Sequence, residues 1–424
     1  MRILHVIQRY YPFAGGSEIY FQELSERLVA DGHEVTVLAT DAWDLDHFWA
    51  PNRRRIDEAE TVHHGVRIRR FPVRRVPGPP IVYPILRRLM VELGRFPGTV
   101  SLVRQLSRLT PRVPDLVHYL QTTTDQYDLV NSANITLDFT IRPALGFAQR
   151  RGIPHICTPF VHLGEPGSDY ILRYYTQPFQ IEMLRRSAAV LTQTRRETDE
   201  LRRRGVDPAR LVEVGGWIRP EALAGGDAER FRAEHAITTP IILSIGAAAY
   251  DKGTMHVIEA MQRLWHAGSD ARLVLISANL LAQFERYWQA LDAATRDRIT
   301  LLQSAPHASK LDALAAASVL AMPSRTDSFG IVFLEAWSYG TPVVGALAGG
   351  VPDVVEDGQD GFLVPFGAVD QLAQRIGQLL SDKALAQKMG AKGRAKVFGS
   401  LTFERKYRRV LELYQTSEPS HPRI

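Results

Sequence analysis

The sequence predicts an α/β chain of two doubly wound domains, each built on a parallel sheet. Two observations predict this architecture. A strand, a glycine-containing loop and a helix follow one another from Arg2, and the same succession starts again at Pro240. Such strand–loop–helix–strand units are the usual beginning of a doubly wound sheet. Because the two starts lie about 240 residues apart, they indicate two Rossmann-like halves.

The first half begins with an apolar strand, Arg2 to Ile7, and a loop rich in glycine and proline, Tyr11 to Gly16. A helix is expected from about Glu18 to Ala30, because its apolar residues recur near helical spacing. Gly32 ends that helix, and Glu34 to Ala39 is predicted to be the second strand.

The second half repeats this arrangement. The apolar strand Ile241 to Ile245 leads through the loop Gly246 to Gly253 into a helix from Met255 to Ala267. The later expected elements are three strands, Arg272 to Ser277, Val319 to Pro323 and Pro342 to Gly345, and one helix, Ser328 to Tyr339.

We expect the first domain to span residues 1–215 and the second residues 216–402, with a hinge in the glycine- and proline-marked segment 214–220. A last helix, about 403–416, is expected to return to the first domain. Its apolar stripe has the i, i+4, i+7 spacing that suits docking: Tyr407, Leu411 and Tyr414. The alternative is that this stripe packs within the second domain.

The composition is that of a globular protein and excludes disordered and fibrous classes, since 45% of the 424 residues are hydrophobic and 23% charged. Cys157 is the only cysteine, so neither an intramolecular disulfide nor a cysteine-rich zinc site is expected. The apolar run Ile3 to Ile7 is too short for a signal peptide, and no uncharged apolar run reaches about 18 residues. These features predict a cytoplasmic protein.

Basic charge is concentrated in one stretch. Residues 66–112 contain eleven arginines and one acid, Glu92, in a chain of net charge +5. Apolar residues lie between the charges, which suits peripheral contact with an anionic membrane such as the inner face of the plasma membrane. The stretch equally suits a solvated helix face packed on the sheet. No recognition motif accompanies the charge, so no nucleic-acid partner is expected.

The strongest motif runs from Pro323 to Gly345. A strand ends at Pro323, a loop carries Asp327, and the expected helix holds Glu335 two turns in. The free N–H groups at a helix start favour an anion or a sugar hydroxyl at this sheet edge. Two carboxylates so placed are suited to hold hydroxyls at two ends of one ligand. The alternative is that Asp327 only caps the helix and that Glu335 faces solvent.

Two glycine-containing loops complete the pattern. Lys252 lies in the loop that starts at Gly246, where its charge suits a diphosphate; alternatively it is a solvated surface lysine. Gly15 and Gly16 precede the first helix and let the backbone approach a ligand closely. Neither loop matches a dinucleotide or P-loop signature.

Together these motifs resemble those of the retaining family-4 glycosyltransferases. Asp327-x7-Glu335 is similar to the family's E-x7-E block, and the Gly15-Gly16 loop to its N-terminal loop. Other similar segments are residues 32–38, 65–72, 349–353 and 357–364. The resemblance covers nearly the whole chain and is weakest from about residue 75 to 215. It implies the GT-B fold, in which two Rossmann-like domains face a central cleft.

The resemblance also implies residue roles. Glu335 would hold the ribose hydroxyls of the donor, Asp327 the sugar hydroxyls, and Lys252 the diphosphate, which the amides of Gly15 and Gly16 would cap. The donor site would also include Ser328, Phe329, Gly330 and Ile331. His162 is similar to the histidine beside the donor sugar and would complete the catalytic set of His162, Lys252 and Asp327; alternatively it is an ordinary loop histidine.

The implied activity is that of a retaining hexosyltransferase, which moves a sugar from a nucleotide-diphosphate sugar to a hydroxyl of an acceptor. The acceptor would be a small molecule, a lipid-linked sugar or a growing glycan. The implied mechanism is front-face, so the leaving diphosphate helps to deprotonate the acceptor, and no cofactor or metal ion is expected. Two alternatives stay open: another GT-B enzyme, such as a phosphorylase or nucleotide-sugar epimerase, and a non-catalytic sugar-nucleotide-binding homologue.

The sequence departs from the family pattern at three places. Asp327 stands where the family usually has glutamate, and Ala247 where it usually has the arginine that shares the diphosphate with the lysine. Loss of that arginine removes a charge-assisted contact of roughly 1.5–3 kcal/mol. Arg325 is the nearest candidate to replace it. The hinge segment also lacks the usual Asn-Gly-Val-Asp run.

Overall fold

The computed structural model describes residues 1–13, 15–109 and 111–417, and it divides the chain into two compact units. The first, here called the N-unit, comprises the described residues within 1–161, 172–214 and 407–417. The second, here called the C-unit, comprises residues 162–171 and 215–406. The division between Val214 and Gly215 lies within the predicted hinge segment 214–220, one residue before the predicted boundary between residues 215 and 216. The segment 162–171 differs from expectation, because it packs with the C-unit.

In the described residues, the N-unit has an eight-stranded sheet of order β3-β4-β2-β1-β5-β6-β7-β8. The strands are β1 (Arg2–Val6), β2 (Glu34–Thr40), β3 (Glu60–His63), β4 (Val66–Phe71), β5 (Leu129–Ala133), β6 (His155–Thr158), β7 (Ala189–Thr192) and β8 (Leu211–Glu213). Only the β3–β4 pair is antiparallel. The expected first strand, helix and second strand are present as β1, the helix Gly16–Ala30 and β2.

Helices of the N-unit connect these strands. They are α1 (Gly16–Ala30), α2 (Val82–Leu93), α3 (Val100–Leu106), α4 (Pro114–Thr122), α5 (Asp138–Arg151), α6 (Pro178–Arg186) and α7 (Arg195–Arg203). The first of them begins at Gly16, two residues before its predicted start, so the glycine pair forms the turn into the helix itself.

The C-unit has a six-stranded, wholly parallel sheet of order β11-β10-β9-β12-β13-β14 in the described residues. Its strands are β9 (Ile241–Ile245), β10 (Arg272–Ser277), β11 (Ile299–Gln303), β12 (Val319–Met322), β13 (Val343–Ala346) and β14 (Gly361–Val364). Its helices are α8 (Ala228–His235), α9 (Thr254–His266), α10 (Ala282–Ala290), α11 (Ala293–Asp297), α12 (His307–Ala316), α13 (Ile331–Ser338), α14 (Val351–Val354), α15 (Val369–Ser381) and α16 (Lys383–Ser400).

Both faces of the C-unit sheet are buried. Ile241, Leu243 and Ile245 of β9 belong to one apolar cluster, and Ile242 between them belongs to another. Side chains of a strand alternate between the faces of a sheet, so a strand covered by helices on both sides is apolar throughout. Four of the five residues of β9 are apolar because both faces are covered, and the exception, Ser244, is a small polar residue that is also buried.

The last helix, α17 (Phe403–Ser417), begins in the C-unit and continues in the N-unit. The Tyr407 hydroxyl donates a hydrogen bond to the Asp31 carboxylate at 2.6 Å, and the Tyr414 hydroxyl accepts a hydrogen bond from the Asn131 side-chain amide at 2.6 Å. Both tyrosines of the expected stripe are fully buried, and Leu411 is half-buried. Among the described helices, none has both the length and the apolar character needed to cross a bilayer.

Candidate functional site

The loops that follow β9 and β12 lie side by side at the carboxyl edge of the C-unit sheet, because these two strands are paired in parallel. They carry Lys252 and Asp327, whose Nζ and Oδ1 atoms are 2.8 Å apart. The sequence distance between the two residues is 75, so their proximity is a consequence of the sheet order. Parallel sheets characteristically bind ligands at this edge.

Asp327 is largely buried, with 16% of its side chain exposed. Burial alone raises the pKa of its carboxyl, but the ammonium of Lys252, with Ser324 and His162, lowers the pKa below the ordinary value. The carboxylate is therefore ionised at neutral pH. Its second oxygen, Oδ2, is buried and has no hydrogen-bond partner among the described residues. Because a buried acceptor without a donor is costly, this oxygen is suited to accept a hydrogen bond from a ligand.

Glu335 repeats this arrangement on α13. Its Oε1 atom accepts a hydrogen bond from Lys310 Nζ at 2.7 Å, and 13% of its side chain is exposed. Its Oε2 atom is buried and, like Oδ2 of Asp327, lacks a partner within the described part of the chain. Glu335 therefore does not face solvent, contrary to the alternative interpretation. Each carboxylate has one oxygen bound to a lysine and one oxygen left for another donor.

The helix that carries Glu335 begins later than the sequence predicts. Gly330 has a φ of 91°, in the left-handed region, and α13 starts at Ile331 rather than at Ser328. A Cβ atom at Gly330 would lie 2.6 Å from the Phe333 ring, so the turn requires glycine. The predicted start at Ser328 is wrong because this turn prolongs the loop. Asp327 accordingly pairs with Lys252 and does not cap the helix.

Lys310 was not identified from the sequence. It lies on α12, 25 residues before Glu335, and no local spacing rule connects the two positions. The composition nevertheless contains a signal, because the chain has seven lysines against 44 arginines, so each lysine is uncommon. Sequence alone does not show which carboxylate a given lysine meets.

His162 lies in the C-unit, with the segment 162–171, and not in the predicted first domain. This segment is held there by a hydrogen bond from the Gly349 amide to the Gly164 carbonyl at 2.8 Å. Burial and the nearby Lys252 ammonium lower the pKa of His162 to about 4, against the opposing effect of Asp327. The imidazole is therefore neutral at pH 7, with one nitrogen able to donate and one able to accept.

Arg325 is occupied by protein carboxylates. Its guanidinium donates to Asp251 and to Glu165, each at 2.8 Å, and lies 4.7 Å from the centre of the Phe366 ring. The expectation that it replaces the missing arginine of position 247 is therefore not supported by its contacts. Instead Arg325 connects the segment 162–171 to the loop of Lys252. Two opposing carboxylates already balance its charge.

Ala247 and Lys252 line the same small cavity at the edge of the C-unit sheet. Residues of β9 and β10 also line this cavity, together with Gly246, Thr254 and Met322. The side chain of Ala247 contributes no charge or donor, so Lys252 is the cationic residue among those lining the cavity.

The other expected donor residues of the C-unit have different environments. Phe329 is buried in the apolar core of that unit, whereas Ser328 and Ile331 are half-buried in the loop and first turn of α13. Phe329 therefore contributes packing. A contact of its side chain with a ligand is not indicated.

Gly15 and Gly16 lie in the N-unit at the start of α1. The carboxylate of Glu18, in the first turn, accepts hydrogen bonds from Gln8 and Arg9 at 3.1 Å and from Ser17 at 3.0 Å. These contacts hold the side chain of Glu18 within the protein. The amides of the first turn have no partners further back in the helix, which favours an anion at a helix start of this kind.

Comparisons with known proteins agree with this description. Residues 15–217 match a family model described as "Glycosyl transferase 4-like domain", and residues 227–396 match one described as "Glycosyl transferases group 1". The two models correspond in order to the two Rossmann-like halves and together account for most of the chain.

Individual relatives are similar over different lengths. An α-D-kanosaminyltransferase from Streptomyces kanamyceticus is 30% identical over 49% of this chain and 54% of its own length. A D-inositol 3-phosphate glycosyltransferase from Catenulispora acidiphila is 26% identical over 91% of this chain and 88% of its own. The chain thus spans about half the length of the kanosaminyltransferase and most of the length of the inositol 3-phosphate glycosyltransferase.

Solved structures extend the similarity to the whole fold. The HepE protein of Anabaena, solved with UDP and glucose, has a TM-score of 0.72 at 17% identity and covers 98% of this chain and 100% of its own. Its similarity concerns the fold alone. Since both halves match glycosyltransferase models and the two-domain fold is shared over nearly all of the chain, the protein belongs to the group 1 glycosyltransferases and has the GT-B fold.

Proposed function

We propose that this protein is a retaining hexosyltransferase, which moves a sugar from a nucleotide-diphosphate sugar to a hydroxyl of an acceptor. The observation that carries the proposal is the pair of carboxylates, Asp327 and Glu335. Each has one oxygen bound to a lysine and one buried oxygen without a partner among the described residues. Sugar hydroxyls are donors suited to those two oxygens.

In this proposal, Glu335 accepts a hydrogen bond from the donor ribose and Asp327 from the transferred sugar. Lys252 meets the charge of the diphosphate, and neutral His162 holds a sugar hydroxyl beside the reacting carbon. In the N-unit, the amides of the Gly15-Gly16 turn suit an anion. These groups supply positioning and electrostatic stabilisation, without a cofactor or metal ion in the chemistry.

The proposed reaction is a front-face substitution with retention. The bond between the anomeric carbon and the diphosphate oxygen breaks, and a bond to the acceptor oxygen forms on the same face. The acceptor proton goes to the departing diphosphate, whose growing charge Lys252 stabilises. The UDP-bound HepE structure and the glycosyltransferase names of the relatives support a nucleotide-sugar donor.

A thermal-shift panel with UDP, GDP, ADP and TDP tests the first step. We expect one of them to raise the unfolding midpoint by several degrees, since a ligand at about 100 times its dissociation constant stabilises by about 2.7 kcal/mol. The matching nucleotide-sugars, with candidate hydroxyl acceptors, then test transfer, and the anomeric coupling constant of the product tests retention. If no nucleotide stabilises the protein, the proposal fails; stabilisation without transfer to any acceptor would favour the non-catalytic homologue.

Peripheral membrane contact is a second part of the proposal. On α2, one face is buried through Arg87, Met90 and Val91, yet the opposite face exposes apolar side chains. Exposed apolar residues occur from the residue before α2 to the turn after α3: Ile81, Ile85, Leu89, Phe96, Leu102 and Leu109. Exposed arginines lie among them: Arg88, Arg95, Arg104 and Arg108. Apolar and cationic side chains together suit the surface of an anionic bilayer.

Vesicle sedimentation tests this contact. The protein is expected to sediment with vesicles of phosphatidylglycerol and phosphatidylcholine and to remain in solution with phosphatidylcholine alone. The double variant Ile85→Ser and Leu89→Ser, both exposed positions, should reduce binding about tenfold or more, because each buried apolar side chain contributes about 1.5–3 kcal/mol. If the protein sediments with neither vesicle type, or if the variant binds as well as the parent protein, a solvated helix face is favoured. Equal sedimentation with both vesicle types would show that the arginines do not direct binding to anionic lipid.

A further inference from the structure

A group of metal-ligating side chains lies in the N-unit, outside the proposed transfer site. Glu26 projects from α1, His63 ends β3, and His64 lies in the turn between β3 and β4. The carboxylate of Glu26 is 3.1 Å from His64 Nδ1 and 3.7 Å from His63 Nε2. One ligand atom from each residue lies within 4.8 Å of the other two.

The hairpin explains why two consecutive histidines face one carboxylate. His63 is paired with Val66 across the antiparallel ladder, so His64 and Gly65 form a two-residue turn. Their φ angles are 46° and 79°, which is the left-handed conformation that such tight turns require. This reversal brings the two imidazoles together as a stack, with ring centres 4.0 Å apart. Residues that alternate along a regular strand would point to opposite faces.

We propose that Glu26, His63 and His64 form a binding site for a divalent transition metal of the zinc class. Two imidazole nitrogens and one carboxylate oxygen are ligands that zinc prefers, whereas magnesium and calcium prefer oxygen ligands alone. A point central to three atoms within 4.8 Å of one another is less than about 3 Å from each, and zinc–nitrogen bonds need about 2.0–2.1 Å. Movements of about 1 Å, together with rotation of the exposed His64 ring out of its stack on His63, would bring all three ligand atoms onto one ion.

The role that this site suits is structural. Strand β3 is the edge strand of the N-unit sheet and pairs only with β4 among the described strands. A metal ion would attach the β3–β4 hairpin to α1. The ring of His63 also stacks on Tyr11 at 3.5 Å, and Tyr11 lies four residues before Gly15. Metal binding would therefore also restrain the loop that precedes the glycine turn.

Zinc titration of the full-length, metal-free protein, prepared without a histidine tag, tests the proposal. Competition with a chromophoric chelator measures stoichiometry and affinity, and thermal unfolding with and without zinc measures stabilisation. We expect one saturable site per chain and a higher midpoint with zinc. Removal of a residue that only hydrogen-bonds to a metal ligand typically lowers metal affinity about 10–100-fold. Removal of a direct ligand, by His64→Ala or Glu26→Gln, should therefore lower the zinc affinity at least about tenfold.

His64→Ala is the primary variant, because 65% of the His64 side chain is exposed and its removal disturbs little packing. The matched control is His118→Ala, which removes an exposed histidine of α4 in the same unit. The control should retain the affinity and the zinc-dependent stabilisation. The proposal is overturned if no saturable site is found, if zinc does not stabilise the protein, or if His64→Ala binds zinc as tightly as His118→Ala.

Discussion

Replacement of Lys252 by methionine is expected to lower kcat/KM by about 10–100-fold, since a charge-assisted hydrogen bond contributes about 1.5–3 kcal/mol. Methionine keeps much of the length of the side chain and removes the ammonium that lies 2.8 Å from Asp327. Oδ1 of Asp327 would then lose its hydrogen bond from Lys252, and the proposed diphosphate would lose the ammonium group that balances its charge. Steady-state kinetics and nucleotide titration measure both consequences.

The loss should be large because Ala247 contributes no second charge. Lys388→Met is a matched control, since Lys388 is an exposed residue of α16 in the same unit, and it should leave kinetics unchanged. An equal loss in both variants would contradict the assignment of Lys252.

Ala247→Arg makes the complementary change. Position 247 lines the same cavity as Lys252, so an arginine there would add a donor fork towards the proposed diphosphate. We expect the nucleotide to bind about tenfold more tightly, and the Lys252→Met loss to become smaller in the double variant. Unchanged affinity would mean that another residue already supplies that contact.

The second large effect is expected at Glu335, where glutamine should weaken nucleotide binding about 10–100-fold with little effect on the unfolding midpoint. Glutamine has the same shape, and its carbonyl can still accept the hydrogen bond from Lys310 that Glu335 now accepts at 2.7 Å. The amide nitrogen replaces the buried oxygen that has no partner among the described residues. An amide donates where the carboxylate accepts, so a ribose hydroxyl would lose its acceptor.

Isothermal titration with the nucleotide identified in the thermal-shift panel measures this loss. Glu285→Gln, at an exposed position of α10 in the same unit, is the charge-matched control. A further variant, Lys310→Met, removes the group that holds Glu335 and should weaken binding less than Glu335→Gln does. Normal nucleotide affinity in Glu335→Gln would show that the carboxylate does not bind the ribose.

Local patterns in the sequence were sufficient for the fold class and for the carboxylate block. Strand β9 is apolar at four of its five buried positions, and α1 begins at the second glycine of a pair, so each feature can be recognised from neighbouring residues. Asp327 and Glu335 are likewise eight positions apart on one strand–loop–helix segment. The predicted start of α13 at Ser328 is three residues too early. The spacing of apolar residues does not distinguish the left-handed turn at Gly330 from the first turn of a helix.

The partners of these residues were decided by the tertiary structure. Lys252 meets Asp327 across 75 residues, Lys310 meets Glu335 across 25, and Arg325 reaches Glu165 across 160. Sheet order and helix packing bring these groups together, and neither is encoded in the spacing of the charged residues themselves. The same reason explains why the segment 162–171 packs with the C-unit although its neighbours in sequence belong to the N-unit. Neighbouring residues therefore specify which chemical groups lie on which kind of element, whereas tertiary packing specifies which of their oxygen atoms remain for a ligand.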